Sequence, residues 1–411
     1  MSFIGYKYRL YPTERQQSLM REYCGATRFI YNRALQQRQK WYQIFGRSPN
    51  YVAQARHLKA LRADPDFNWL KNTPMQVLQQ SLMDLEVAYK RFFSGAGHPR
   101  FKIKGQHDSF RVPQRVEVQK INGRWGKVKL QGLGWVKFRF HRPTNGKIKS
   151  ATVTFKAGQW HVSFVIEQMD SEPKISNNPA IGIDFGVVHA ITSSNGQFHD
   201  SQPWTENMRQ RLCRLERKLA KQQRGSGRHQ KTKLMIAKLH YQAKNRRADS
   251  NHKTAHYLAK NFGLVAIEDL NTKNMTKSAR GTIERPGKNV AQKRGLNKAI
   301  LNTGWAQLKT FIEYKCEREG SIFVVVPAHF SSQECSKCSH TEQANRERQA
   351  RFSCRSCGHT ENADINAAQV IKQRGISLVV SAGGKSAAAR GGHPVINGSC
   401  ETRTTHLALA R

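Results

Sequence analysis

Of the eight cysteines, four are spaced to hold a metal. Cys335 and Cys338 form one CxxC pair and Cys354 and Cys357 a second, with fifteen residues between the pairs. Two intervening residues let both sulfurs of a tight turn reach one ion about 2.3 Å away, so the two pairs suit a single tetrahedral zinc. His340 and His359 stand beside the pairs as alternative ligands should one thiolate be displaced. Cys24, Cys213, Cys316 and Cys400 are isolated, as chance scatter would leave them, and read as free thiols of a reducing compartment.

A second chemistry resides in three acidic residues. Asp184 closes the apolar run Ile-Gly-Ile, Glu268 follows Leu-Val-Ala-Ile, and Asp364 opens a helix-like run seven residues after Cys357. A carboxylate at the tip of a buried strand loses hydration and is tolerated mainly where a cation or hydrogen bonds compensate. Three converging carboxylates would repel one another and any phosphate unless divalent cations intervened, and Mg²⁺ or Mn²⁺ accepts such oxygen ligands together with water. Two ions about 4 Å apart would activate a water and stabilise the leaving oxygen of a phosphodiester. Taken singly, Asp184 reads equally well as a turn aspartate before Gly186, Glu268 as a surface residue beside Asp269, and Asp364 as a helix N-cap. The metal reading requires convergence across separations of 84 and 96 residues.

Charge sets the class of partner. The 411 residues carry 69 Lys plus Arg against 28 Asp plus Glu, a formal charge of +41 spread along the chain. Such an excess fits grooves that track phosphate, with binding that weakens steeply in salt, and argues against a neutral enzyme with a basic tail. No apolar stretch of the sequence approaches membrane-spanning length, and the opening residues lack a signal-peptide core, so the expected location is the cytoplasm or nucleoid, with no membrane partner.

The elements that must position these groups follow from periodicity. YKYRLYP at 6–12 reads as a strand, Thr13 and Gln16 as a capping box, and Gly25 as a break before a second helix to Phe45. Thr73-Pro74 opens a helix whose Met75, Leu78, Leu82, Leu85, Tyr89 and Phe92 form a core stripe. From Phe110 the period becomes two, predicting antiparallel strands in a small barrel or curled sheet whose outer face offers cations and hydroxyls to phosphate. The N-terminal strand is expected to return to this sheet, leaving the helices between as an insertion. After Asn178 come a strand to Asp184, a turn at Gly186, and a hairpin at Asn195-Gly196 of type I′.

A helical hairpin over Thr205–Gln223 and His229–Asn261 turns at Arg224-Gly-Ser-Gly-Arg228, and residues 205–260 hold 16 basic against 3 acidic residues. Arg211, Arg214, Lys218 and Lys221 recur on one helical face while Leu212, Leu215 and Leu219 hold another, so a nucleic-acid duplex could lie along the cations. Residues 271–303 read as a mobile basic loop, and the Gly-, Ala- and Ser-rich stretch 375–411 as a disordered tail.

YKYRLYPT, HPRFKIKG at 98–105, GIDFG, AIEDLN, SSQECSKC and FSCRSCGHTENADINAA, in this order, resemble the TnpB (OrfB) family of insertion-sequence-encoded RNA-guided endonucleases, related to type V CRISPR effectors. The likeness covers most of residues 1–373, with Ser339 where the pattern has Gly and Asn362-Ala363 where Asp-Arg is common. It implies an α/β multidomain protein: a wedge-like β-barrel (1–10 and 110–172) with an inserted helical recognition domain (11–109), then a RuvC-type ribonuclease-H-like nuclease domain (178–330 and 359–374) interrupted by a zinc ribbon (331–358). It further implies Asp184, Glu268 and Asp364 as the nuclease carboxylates, a guide RNA from the element's end, and target double-stranded DNA beside a short flanking motif. The competing readings are a guided DNA-binding repressor that has lost cleavage and a transposition accessory protein that binds without cutting. An actin-like ATPase lacks its second phosphate turn here, and a protein kinase lacks the catalytic-loop His-Arg-Asp before Asp184-Phe-Gly.

Overall fold

The computed structural model describes residues 2–168, 178–348, 350–383 and 396–397. The chain divides into two compact units, Met1–Ser171 and Glu172–Arg411.

In the first unit, alternating apolar residues build seven strands: β1 (Ser2–Tyr11), then β2 (Ser109–Val112), β3 (Glu117–Lys120), β4 (Trp125–Leu130), β5 (Gly134–Arg139), β6 (Lys147–Lys156) and β7 (Gln159–Gln168). They pair antiparallel in the order β2-β6-β7-β1-β5-β4-β3, so the N-terminal strand does return, to the middle of the sheet. No pairing of β2 with β3 among the described residues closes it into a barrel. Tyr8, Val128, Val136, Phe138, Val153, Val162 and Phe164 bury the inner face, as the period of two requires.

Between β1 and β2 lie α1 (Glu14–Phe45), α2 (Tyr51–Ala63) and α3 (Met75–Phe93). Thr13 and Gln16 form the capping box, but Gly25 does not interrupt α1, which runs 32 residues. A glycine inside a helix costs about 1 kcal/mol, and the stripe through Met20, Tyr23, Ala26, Ile30 and Leu35 buries enough apolar surface to outweigh it.

In the second unit, β8 (Ala180–Asp184), β9 (Ile191–Ser193) and β10 (Phe198–His199) form a meander, followed by α4 (Glu206–Ala220) and α5 (Gly227–Asn261). Then come β11 (Leu264–Glu268), α6 (Thr272–Met275), α7 (Val290–Thr303), α8 (Trp305–Glu319), β12 (Ile322–Val326), β13 (Arg351–Ser353), β14 (Thr360–Asn362), α9 (Ala363–Gly383) and β15 (Ile396–Asn397). The main sheet has the order β10-β9-β8-β11-β12-β15, with β8, β11 and β12 parallel and β9 antiparallel to β8.

Strand alternation decides which side chains face which helix. Ile181, Ile183, Val265 and Ile267 pack with Ala255, Leu258, Trp305, Leu308 and Ile312 of α5 and α8. The intervening Leu264 and Ala266 pack with Ile371 of α9 on the other face. Two glycines bring α9 against this face. A Cβ at Gly182 would lie 2.1 Å from the Ala368 carbonyl oxygen, and one at Gly375 2.5 Å from the Ala266 Cβ.

Three further expectations differ from the structure. The hairpin after β9 is not type I′, because Asn195 does not have positive φ; Gly196 does, and its N–H donates to the Ser193 carbonyl, as in a type I turn followed by a bulge. The type I′ geometry occurs instead between β6 and β7, where Ala157 (φ 50°) and Gly158 (φ 76°) are both left-handed. Residues 290–303 are helical, with Ile300 and Thr303 buried, so this part of the basic segment is anchored despite its weak periodicity. The putting of a tail at 375 fails because α9 continues to Gly383, where Leu378 and Val379 still pack on the sheet. The rest of that tail, 384–395 and 398–411, lies outside the described residues.

Candidate functional site

Asp184 ends β8 and Glu268 ends β11, adjacent parallel strands in register at Ile183 and Ile267. Both sit on the face that α9 covers, one alternation away from residues packed on α5 and α8. Asp364 lies in the first turn of α9, whose start is capped by Asn362 Oδ1 accepting from the Asp364 and Ile365 N–H groups at 3.0 and 3.3 Å. The three carboxylates, with Phe185, Val187, Val188, Ser331 and Arg346, line one cavity of about 320 Å³ at the carboxyl ends of the strands.

Their electrostatics reflect that proximity. Burial, then the charges of Glu268 and Asp364, push the Asp184 carboxyl up to about 7, against a smaller opposing pull from Arg346. Glu268 is 7% exposed and its carboxyl is also raised by burial, with a hydrogen bond from Ser331 and the charge of Arg374 acting the other way. Ser331 Oγ donates to Glu268 Oε1, and Arg346 approaches Asp364 Oδ1 at 3.4 Å. Trp305 Nε1 donates to the Gly186 carbonyl at 3.3 Å and so braces the turn after Asp184.

Ser331 and Arg346 are missed by sequence reasoning. Ser331 opens the SSQECSKC run, but nothing in its spacing marks it as a partner of Glu268. Arg346 is one basic residue among Arg348, Arg351 and Arg355, and only the fold selects it.

Cys335, Cys338, Cys354 and Cys357 offer sulfurs that all lie within 4.8 Å of one another. Cys335 and Cys357 are separated by 3.7 Å and Cys338 and Cys354 by 3.6 Å. A tetrahedron with metal–sulfur bonds near 2.3 Å has edges of about 3.8 Å, so this donor set fits zinc. His340 and His359 are outside the set, and each ring faces a glutamate, Glu342 at 3.1 Å and Glu361 at 3.4 Å. Ser339 occupies the left-handed region at φ 59°, as Gly358 does at φ 69° after the second pair.

Arg211, Arg214, Lys218 and Lys221 are exposed on or just beyond α4, while Leu212 and Leu215 pack with Met208, Leu239 and Ala243. The sheet of the first unit shows a second cationic face that the sequence reading left without aromatics. Lys137 Nζ lies 4.2 Å from the Trp125 ring centre and Lys127 Nζ 4.9 Å from that of Trp135. Lys127 and Lys137 are direct cross-strand partners, a like-charge pairing that a polyanion would relieve.

Residues 163–279 match the OrfB family model described as a probable transposase, and 305–371 match the Cas12f1-like TNB domain. Residues 1–47 match a helix-turn-helix domain, over which this chain has one strand and one continuous helix. The chain is 38% identical over 376 residues to the "Putative RNA-guided DNA endonuclease InsQ" of Escherichia coli (strain K12), covering 91% of this chain and 93% of that protein. A "Putative RNA-guided DNA endonuclease" of Streptomyces pristinaespiralis is 27% identical over 378 residues, covering 91% of this chain and 89% of its own. Among solved structures, a Cas12f1–sgRNA–target DNA complex matches with a TM-score of 0.51 at 13% identity, over 90% of this chain and 98% of that one. That likeness speaks for the fold alone.

Proposed function

Because this chain belongs to the TnpB (OrfB) family, related to type V CRISPR effectors, we propose that it is an RNA-guided DNA endonuclease that hydrolyses target DNA at Asp184, Glu268 and Asp364. The single observation that carries this reading is the meeting of three carboxylates, from two strand ends and one helix, in one cavity. The strand order β10-β9-β8-β11-β12, in which β9 alone runs against the other four strands, supports a ribonuclease-H-like domain of the RuvC type. The seven-stranded sheet with three helices between its first two strands supports the wedge and recognition assignment.

Asp184, Glu268 and Asp364 are the residues that would hold Mg²⁺ or Mn²⁺, and the oxygen-only donor set suits those ions. Divalent ions held there would supply Lewis acidity, making a water more acidic and offsetting negative charge on the departing oxygen. Ser331 holds Glu268 in one orientation, and Arg346 adds a fixed positive charge where phosphate must enter. The four thiolates would hold a structural zinc. A guide RNA supplies sequence recognition by base pairing to double-stranded DNA beside a short flanking motif, while the exposed cations of α4 and the first unit's sheet hold backbone. The expected site of action is the bacterial cytoplasm or nucleoid. Among the described residues no helix is long and apolar enough to cross a membrane.

The test is purification with bound RNA, sequencing of that RNA, and a cleavage assay on a matched plasmid with Mg²⁺, with EDTA, and with Asp184→Ala. Cleavage that needs both Mg²⁺ and Asp184 supports the reading. Absence of bound RNA removes guidance, and targeted binding without cutting favours the repressor.

A further inference from the structure

The four-cysteine knot and the carboxylate cluster are joined by two asparagines that have no exposed surface. Asn345 donates from Nδ2 to the carbonyls of Gln333 (2.9 Å) and His340 (3.2 Å), and its Oδ1 accepts from the Arg355 N–H at 2.9 Å. One side chain thereby ties the chain on both sides of the first cysteine pair to the interior of the second. The next residue is Arg346, whose guanidinium reaches Asp364. Asn366 performs the complementary task from α9: Nδ2 donates to the Glu334 carbonyl at 2.8 Å and Oδ1 accepts from the Ser336 N–H at 3.0 Å. Ser336 lies inside the first pair, and its carbonyl accepts from Gln373 Nε2 at 2.7 Å, so α9 grips both main-chain groups of that residue.

Around a helix, positions two apart differ by about 200°, so α9 turns Asp364 toward the cavity and Asn366 toward the knot. Both asparagines are 0% exposed. Every hydrogen bond named for them goes to backbone in the knot, where an unpaired buried amide would be costly. Neither side chain lines the cavity, so neither touches substrate.

We propose that Asn345 and Asn366 are positioning residues that make the carboxylate cluster depend on the metal-loaded knot, Asn345 by fixing Arg346 and Asn366 by fixing Asp364. Loss of metal from the thiols would then weaken cation binding at the carboxylates while leaving nucleic acid bound. The inference rests on the nuclease reading, but it concerns the coupling and not the activity itself.

The experiment compares wild type, Asn345→Ala and Asn366→Ala as RNA-bound complexes. It measures zinc per chain, target binding, cleavage, and Mn²⁺ bound in excess of the Asp184→Ala complex by electron paramagnetic resonance. Each variant is expected to keep its zinc and to bind target within about twofold, while Mn²⁺ affinity and cleavage fall together by about 10–100-fold, with partial recovery of cleavage at high Mn²⁺. Unchanged Mn²⁺ affinity, with or without a loss of cleavage, would overturn the proposal. Should an alanine variant lose zinc or fail to fold, Asn366→Asp and Gln373→Ala decide by the same criterion, since the former keeps the acceptor for Ser336 and loses the donor to Glu334. A wild-type complex with no Mn²⁺ above the Asp184→Ala background defeats the nuclease reading itself, which is a distinct result.

Discussion

The thiols of Cys335, Cys338, Cys354 and Cys357 and the carboxylates of Asp184, Glu268 and Asp364 are both gatherings of acids, yet the protein holds them by different means. The knot spans 23 residues, leaves Cys338 and Cys357 exposed, and closes on itself through local bonds such as Lys337 N–H to Cys335 Sγ and Cys335 N–H to the His340 carbonyl, with Asn366 and Gln373 of α9 gripping it from outside. The cluster draws on two strand ends and a helix, and burial alone raises two of its carboxyls before any mutual repulsion is counted. A local loop can therefore be shaped by its own ligands. A dispersed site must be shaped by the whole unit around it.

The largest effect should come from breaking the dispersed site. Asp184→Ala or Glu268→Ala is expected to reduce cleavage by about a thousandfold, equivalent to about 4 kcal/mol, with target binding retained in a filter or gel-shift assay. Loss of target binding in step with cleavage would assign those carboxylates to the fold instead. Breaking the local site should act first on structure: Cys354→Ser is expected to drop zinc below one per chain and to lower stability by more than about 3 kcal/mol, read by metal analysis and thermal melting.

The two gatherings should also separate by pH. Because the folded-state value for Asp184 is raised above its unfolded one, its contribution to stability is fully present below about 4 and is lost as pH rises through about 7. In buffer free of divalent cations, Asp184→Asn should therefore melt higher than wild type at pH 8, by an amount corresponding to as much as about 4 kcal/mol. The gap should close toward pH 4, and a constant difference across that range would contradict the assignment. The smallest effect is expected at Ser339, where Gly removes the strain of a left-handed non-glycine residue; Ser339→Gly should stabilise by about 1 kcal/mol and slow zinc release to a chelator.

This contrast also explains what the sequence could disclose. The thiol set was legible because its ligands lie a few residues apart, and the carboxylates because each ends an apolar run or opens a helix. Their meeting was not, since it depends on the parallel register of β8 with β11 and on where α9 settles. Arg346, Ser331, Asn345 and Asn366 carry no local signature at all: common polar residues acquire roles only from what the folded chain sets beside them. The helix at 290–303 was hidden by its weak apolar periodicity and by Gly295 in its interior, and the far end of α9 by small residues that suit a loop equally well. The capping box at Thr13, being four consecutive residues with one geometry, needed no such context.

The seating of α9 carries one further consequence. Where Gly182 and Gly375 touch their neighbours, the gap between helix and sheet is fixed by the lack of two methyl groups, and the nearest obstacle at 182 is main chain that has no rotamer to escape into. Any side chain there would act as a shim, lifting the helix end that bears Asp364 away from the strand that bears Asp184. The spacing of the carboxylates is thus gauged by two residues that line no part of their cavity.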